Sequence, residues 1–261
     1  MQRTLIAGSI LCSVLMGCAS YVAPGRGANM GAFGISQADR ETNTDTSIQV
    51  SLDKKPLAGF PASIAIVRVE SPGYQSNSAS SYGSGAYSVV TTRDVETPEE
   101  LQRMMKLPMV QGVAPVNRLL LTSNLESDRE LRQAAASLHS DFLLIYTFDT
   151  TFYVRDFAKP LSVITLGLSP NENASVVTTA SAVLMDTRNG YVYGVDETTA
   201  RSNQIASAWT SDDAVDDARL RTEGKAFDQL VGEFEKTWKG VVQQYAGAPA
   251  PGPAAVTSGI H

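Results

Sequence analysis

The sequence predicts an α/β chain: a mixed sheet with a β-α-β crossover, then an antiparallel meander, closed by a long C-terminal helix packed on the sheet. Three observations carry this. Two capping boxes, Thr97 with Glu100 and Ser127 with Glu130, open helices among β-rich runs. Asn189-Gly190 joins two further β-rich runs, as in a tight hairpin whose central residues need positive φ. Phe227, Leu230, Val231, Phe234, Trp238, Val241, Val242 and Tyr245 recur at helical spacing near the C-terminus.

The N-terminal stretch is read as an export signal. Arg3 supplies a small positive region, and Leu5 to Met16 is an apolar run of 12 residues. A bilayer span needs ~20 apolar residues, so the run fits the core of a secretory leader and not a membrane helix. Leu15-Met16-Gly17-Cys18 follows, which resembles the lipobox of bacterial lipoproteins. That resemblance implies cleavage after Gly17, acylation of Cys18, and, with Ala19 and Ser20 next and no Asp there, an outer-membrane address facing the periplasm. Each buried CH₂ contributes ~0.8 kcal/mol, so a triacylated cysteine anchors firmly without a transmembrane helix. Cys12 leaves with the leader and Cys18 is consumed by lipid, which excludes disulfides and thiolate chemistry.

Residues 18–60 read as a tether and linker, 61–245 as one α/β domain, and 246–261 as a disordered tail in which Ala, Gly and Pro make up 11 of 16 residues. Loss of the leader leaves 20 basic against 27 acidic side chains, and no Lys/Arg run occurs. Nucleic acid is therefore not an expected partner.

In the middle, SIAIVRVE (63–70) is dense in β-branched residues and flanked by Pro61 and Pro72, which marks a strand. Residues 87–91 suggest a second. The helix capped by Thr97 carries Pro98 at its first position and stops before Pro108. VNRLLLT (116–122) reads as a strand. The helix after Ser127 places Leu131, Ala134, Ala135 and Leu138 on one face, and the apolar run from Phe142 to Phe148 fits a strand buried on both sides. Strand, helix, strand here predicts a crossover and a parallel portion of the sheet. Residues 161–168, 175–185 and 191–199 then read as antiparallel neighbours. The last helix is expected from about Ser211 to Tyr245, with Trp209 outside its apolar stripe.

This layout resembles the α/β domain shared by the curli-secretion channel lipoprotein, the lipoprotein activators of penicillin-binding proteins and the amino-terminal domain of the Tol system's propeller protein. More specifically, DFLLIYTFDTTF (141–152), PLSVITLGLSPN (160–171) and ASAVLMDTRNGYVYGVDETTA (180–200) resemble the rhombotarget lipoproteins, over roughly residues 60–245. That family has no assigned catalytic residues to carry over. Its name implies that some members end in a tail read by a rhomboid-type protease, and Gly259-Ile260-His261 departs from that pattern.

Chemistry-bearing motifs are sparse. His139 and His261 are the two histidines, and His139 suits a helix C-terminus. Ser51-Leu52-Asp53-Lys54 meets S-x-x-K without its usual companions. Asp212, Asp213, Asp216 and Asp217 could ligate calcium, but their place at a helix start favours capping. Gly83-Ser84-Gly85 lacks the third glycine of a dinucleotide loop. No metal, cofactor or catalytic residue is expected. The stretch 71–88, with 7 Ser, 3 Gly and 3 Tyr, has the composition of a binding loop, which makes Tyr74, Tyr82 and Tyr87 the candidate partner contacts; a plain mobile loop is the simpler reading. The apolar hairpin tip at 166–170 is a second candidate surface. These features point to a non-enzymatic outer-membrane lipoprotein that binds an envelope protein or polysaccharide, or itself. The alternatives are a subunit of an oligomeric secretion-type assembly and, less favoured, an envelope hydrolase.

Because the Ala/Gly/Pro tail is expected to bury nothing, deleting residues 246–261 should change the unfolding free energy of the chain by less than about 1 kcal/mol, read by urea denaturation. A larger loss means the tail packs on the domain.

Overall fold

The computed structural model describes residues 26–33, 44–76, 78–156, 172–205 and 212–247. Cys18, the hairpin tip at 166–170, Trp209, the strand expected at 161–168 and most of the tail lie outside them. Helix α1 (Thr44–Asp53) precedes strands β1 (Ala62–Glu70), β2 (Ser81–Tyr82), β3 (Ser84–Gly85) and β4 (Ser88–Val90). Then come α2 (Pro98–Met105), β5 (Val110–Pro115), β6 (Asn124–Leu125), α3 (Asp128–Ser137), β7 (Phe142–Asp156), β8 (Glu172–Asp186), β9 (Val192–Ile205) and α4 (Asp212–Tyr245).

The main sheet runs β2-β4-β1-β7-β8-β9, with β5 also on β1. β1 is parallel to both β5 and β7, while β7, β8 and β9 form the antiparallel meander. The mixed sheet, crossover, meander and closing helix are as the sequence predicts. Chain progress from β1 to β5 and then from β5 to β7 runs in opposite directions across the sheet. Crossovers of one hand then need helices on opposite faces, which is where α2 and α3 lie.

Alternation along β1 and β7 divides the core in two. Ile64, Ile66, Phe142, Leu144, Tyr146 and Phe148 face α2 and α4. Ala65, Val67, Leu143 and Ile145 face α3 and the segment 26–33. Both capping boxes form, with Thr97 and Ser127 each taking the Glu three residues on to its own backbone N–H.

Three details depart from the sequence reading, and a fourth adds to it. First, the strand of the crossover is β5, and not 116–122. Asn117 accepts a hydrogen bond from the Leu119 amide and starts a 3₁₀ turn over Arg118–Leu120, so the apolar Leu119 ends 85% exposed. Second, residues 26–33 belong to the fold. Gly27 bridges Glu70 and lies so close to β7 that a Cβ there would stand 2.9 Å from Thr147 Oγ1, while Ala28 and Phe33 are buried. Third, the β8–β9 turn has one positive φ, Gly190 at 70°; Asn189 instead accepts from the Tyr191 amide through its side chain. Fourth, His139 adopts φ 54° just past α3, where the Ser140 amide donates to Ala135 O and the His139 amide to Ala136 O. This is a Schellman closure, so backbone geometry accounts for the placement of His139.

Along the stripe of α4, Phe227, Leu230, Val231, Phe234 and Val241 are buried as expected, Trp238 is fully enclosed, and Val242 and Tyr245 are half-buried against the same core. Its ring meets Phe60, Phe142 and Phe234, and its Nε1–H donates to Pro108 O at 2.8 Å. Trp238→Ala should therefore cost about 3–5 kcal/mol of stability in chemical denaturation. Trp238→Phe should retain most of the packing and lose about 1 kcal/mol for the hydrogen bond. A cost below about 1 kcal/mol for the alanine variant would contradict this packing of α4 on the sheet.

Candidate functional site

The strongest concentration of chemistry lies where the first turns of α4 cross the far end of β1. Pairing there follows from alternation: Arg68 and Glu70 share the α4 face with Ile64 and Ile66, and both are buried. Arg68 donates from Nε to Glu70 Oε1 (2.9 Å), from Nη1 to Asp94 Oδ1 (3.1 Å) and from Nη2 to the Tyr74 hydroxyl (3.2 Å). Arg219 of α4 donates from Nε to Asp216 (2.9 Å), from Nη1 to Glu223 (2.7 Å) and from Nη2 to Ser78 Oγ (2.7 Å). Glu223 links the two cations, standing 3.5 Å from Arg68 Nη2 and accepting from Thr150 Oγ1. Phe148 stacks under the Arg68 guanidinium, 4.7 Å from its centroid.

Four carboxylates thus share two guanidiniums out of water. Burial pushes Glu70 up to about 8 in spite of Arg68, and the neighbouring Glu223 adds to the rise. Burial likewise raises Glu223 against the pull of Arg68 and Arg219. Burial works against the charge on Arg68, but Glu70 and Glu223 more than offset it and hold the guanidinium above its ordinary value.

This cluster settles where the serine- and tyrosine-rich stretch goes. Tyr74 and Tyr87 are each 2% exposed, Tyr74 on Arg68 and Tyr87 donating to Ser127 O at 2.7 Å. Tyr82 is half-buried, its hydroxyl 3.5 Å from Leu121 O. Two of the three rings expected to meet a partner, Tyr74 and Tyr87, are thus turned into the fold, where their hydroxyls are hydrogen-bonded, and Tyr82 stays half-buried. Asp216 is held by Arg219 and Asp217 is exposed; among the described residues no group of His, Cys, Asp and Glu is arranged to hold a metal ion.

Beside the cluster a crevice opens. The edge of β1 pairs with β5 over Ala62–Ile66 and with β4 over Arg68–Glu70, so the two neighbours diverge at Val67. Ile66, Arg68, Thr91, Arg93, Glu96 and Tyr146 line about 30 Å³ of space, enough for one or two water-sized groups. Tyr146 donates a short hydrogen bond to Glu96 Oε1. Burial, then the Glu96 charge, raises the Tyr146 hydroxyl well above its ordinary value. Glu96 Oε2 is buried and accepts from no described residue. Through that oxygen the crevice can take one N–H or O–H donor.

Sequence reading missed Arg68, Glu70, Asp94, Glu96, Arg219 and Glu223. The findable signal was charge in apolar company: Arg68 and Glu70 at i, i+2 inside a β-branched strand, and Asp216, Arg219 and Glu223 on the helix face that continues into Phe227.

The raised Glu70 has a consequence for pH. Its folded pKa lies above its ordinary value of 4.5, so the unfolded chain gives up that proton first and stability falls as pH rises toward about 8. The slope is at most about 1.4 kcal/mol per pH unit. Urea unfolding between pH 5 and 8 should show the wild type losing stability more steeply than Glu70→Gln, whose amide does not ionise. Parallel profiles would mean that Glu70 is already charged in the fold.

No protein-family model matches the chain, and no curated protein matches it. Among solved structures it has distant similarity to protein XCC0632 from Xanthomonas campestris, of family DUF330, at 12% identity over 73% of this chain and 92% of that one, with a TM-score of 0.32. It is also distantly similar to the hypothetical protein CT253 from Chlamydia trachomatis, at 12% identity over 69% of this chain and 97% of the other, with a TM-score of 0.28.

Proposed function

We propose that the chain is an outer-membrane-anchored, non-enzymatic binding or scaffold module of the bacterial envelope, related to the rhombotarget lipoproteins. The observation that carries the reading is Leu15-Met16-Gly17-Cys18 directly after a short apolar run. Among the described residues no helix is long and apolar enough to cross a membrane.

The fold adds a distance to this reading. Nine peptide bonds separate Cys18 from Gly27, and Gly27 is fixed between β1 and β7. An extended chain covers at most ~3.6 Å per residue, so the sheet stands within about 32 Å of the acyl chains. The bound partner is then one reached close to the membrane surface, such as a periplasmic envelope protein or polysaccharide.

Fractionation of cells expressing Cys18→Ser tests the anchor. The wild type should sediment with outer membrane in an acylated, processed form, and the variant should appear soluble or unprocessed. A processed variant that still follows the outer membrane would overturn the reading.

A further inference from the structure

We infer that β9 is the interface through which two copies of this chain pair, continuing one sheet across a two-fold axis centred on Thr199. β9 ends the strand order and pairs with β8 along 173–185; no described strand lies on its other side. At 14 residues it is long for an edge, and it contains neither Pro nor Lys, two of the usual devices that keep edges from pairing. Its outward residues include Val195, 72% exposed, with Glu197, Thr199, Arg201 and Asn203.

The charges on this edge fit a second copy of the same strand in one register. In an antiparallel pair around a dyad, opposed residues lie on the same face, so the dyad passes between the two copies of one residue. Centred on Glu197 or Arg201 the pairing opposes like charges, and centred on Thr198 or Ala200 it opposes each charge to an uncharged residue. Centred on Thr199 it sets Glu197 against the other copy's Arg201 twice over, with Val195 against Asn203. Within one strand Glu197 and Arg201 are four residues apart, about 13 Å, too far to neutralise each other. Among the described residues Arg201 makes no ion pair, and β8 already orders its future partners: Ser181 Oγ donates to Glu197 Oε2 at 3.0 Å and Thr179 holds Thr199 at 3.1 Å. An isologous interface of this kind closes as a dimer. The proposal does not depend on the lipid anchor.

Light scattering of the full chain in detergent should read a dimer. Glu197→Arg and Arg201→Glu should each weaken it roughly tenfold, since cross-strand charge pairs become repulsions at both symmetric positions. The double reversal should restore it. On oxidation Thr199→Cys should crosslink to itself, whereas Val195→Cys should do so only when mixed with Asn203→Cys. Circular dichroism checks that every variant folds. A monomeric wild type, an open ladder of copies, indifference to the single reversals, or failure of the Thr199→Cys crosslink would each overturn the proposal.

Discussion

Two guanidiniums inside the fold constrain most of what surrounds them. Arg68 is placed by the alternation of β1 on a face that α4 covers, and a cation so enclosed requires carboxylates with directed hydrogen bonds. They arrive from β1 itself, from Asp94 after β4 and from Glu223 in α4. Arg219 then needs Asp216 and Ser78, which ties down the long excursion between β1 and β4. Such networks break even at best against apolar packing. What they contribute is uniqueness. An apolar stripe alone would tolerate a 34-residue helix shifted by a turn along the sheet, whereas a shift of that size would separate Arg219 from Ser78 and Glu223 from Arg68 and Thr150.

The same logic separates what was legible in the sequence from what was not. Elements declared by local physics could be read directly: the capping boxes of α2 and α3, the apolar run of β7, the stripe of α4. Their periods and caps are properties of a few neighbouring residues. β5 was obscured because VQGVAP carries a Gly and a Pro and owes its strand conformation to β1, while the adjacent Leu-rich run lost its strand to a side-chain cap from Asn117. The charge cluster was hidden for a deeper reason. Its members lie up to 155 residues apart, from Arg68 to Glu223, and their meeting depends on the whole sheet order. Tyr74, Tyr82 and Tyr87 illustrate the cost of reading composition alone, since a mixture that suits a binding surface equally suits a loop whose hydroxyls satisfy buried groups.

The two sides of the sheet are built differently. Beyond β1 the edge is divided between β5 and β4, a short β2 follows, and residues 26–33 wedge in from another direction. The crevice beside this irregular pairing holds the oxygen of Glu96 that has no partner among the described residues. On the other side β7, β8 and β9 are long, and the one irregularity of their pairing is an extra residue in β9, Tyr193, opposite the Leu184–Met185 step and ahead of the Val195–Asn203 stretch. Regularity is what allows an edge to accept another strand, because each bulge or proline would interrupt the ladder.

α4 connects the two. Its first turns hold Arg219 and Glu223 at the charge cluster, and its middle meets β9, where Thr198 Oγ1 donates to Ala226 O and Thr237 Oγ1 donates to Asp196. Gly194 allows this approach: a Cβ there would stand 2.5 Å from Thr237 Cγ2. The helix that neutralises Arg68 is thus the one that fixes the slope and height of the edge strand. Segment 26–33 adds a third connection, since Gly27 sits against Glu70 and Thr147 at the rim of the same cluster. The proposed anchor thus leads into β1 and β7 through Gly27, and α4 ties the same region to β9, the proposed pairing edge.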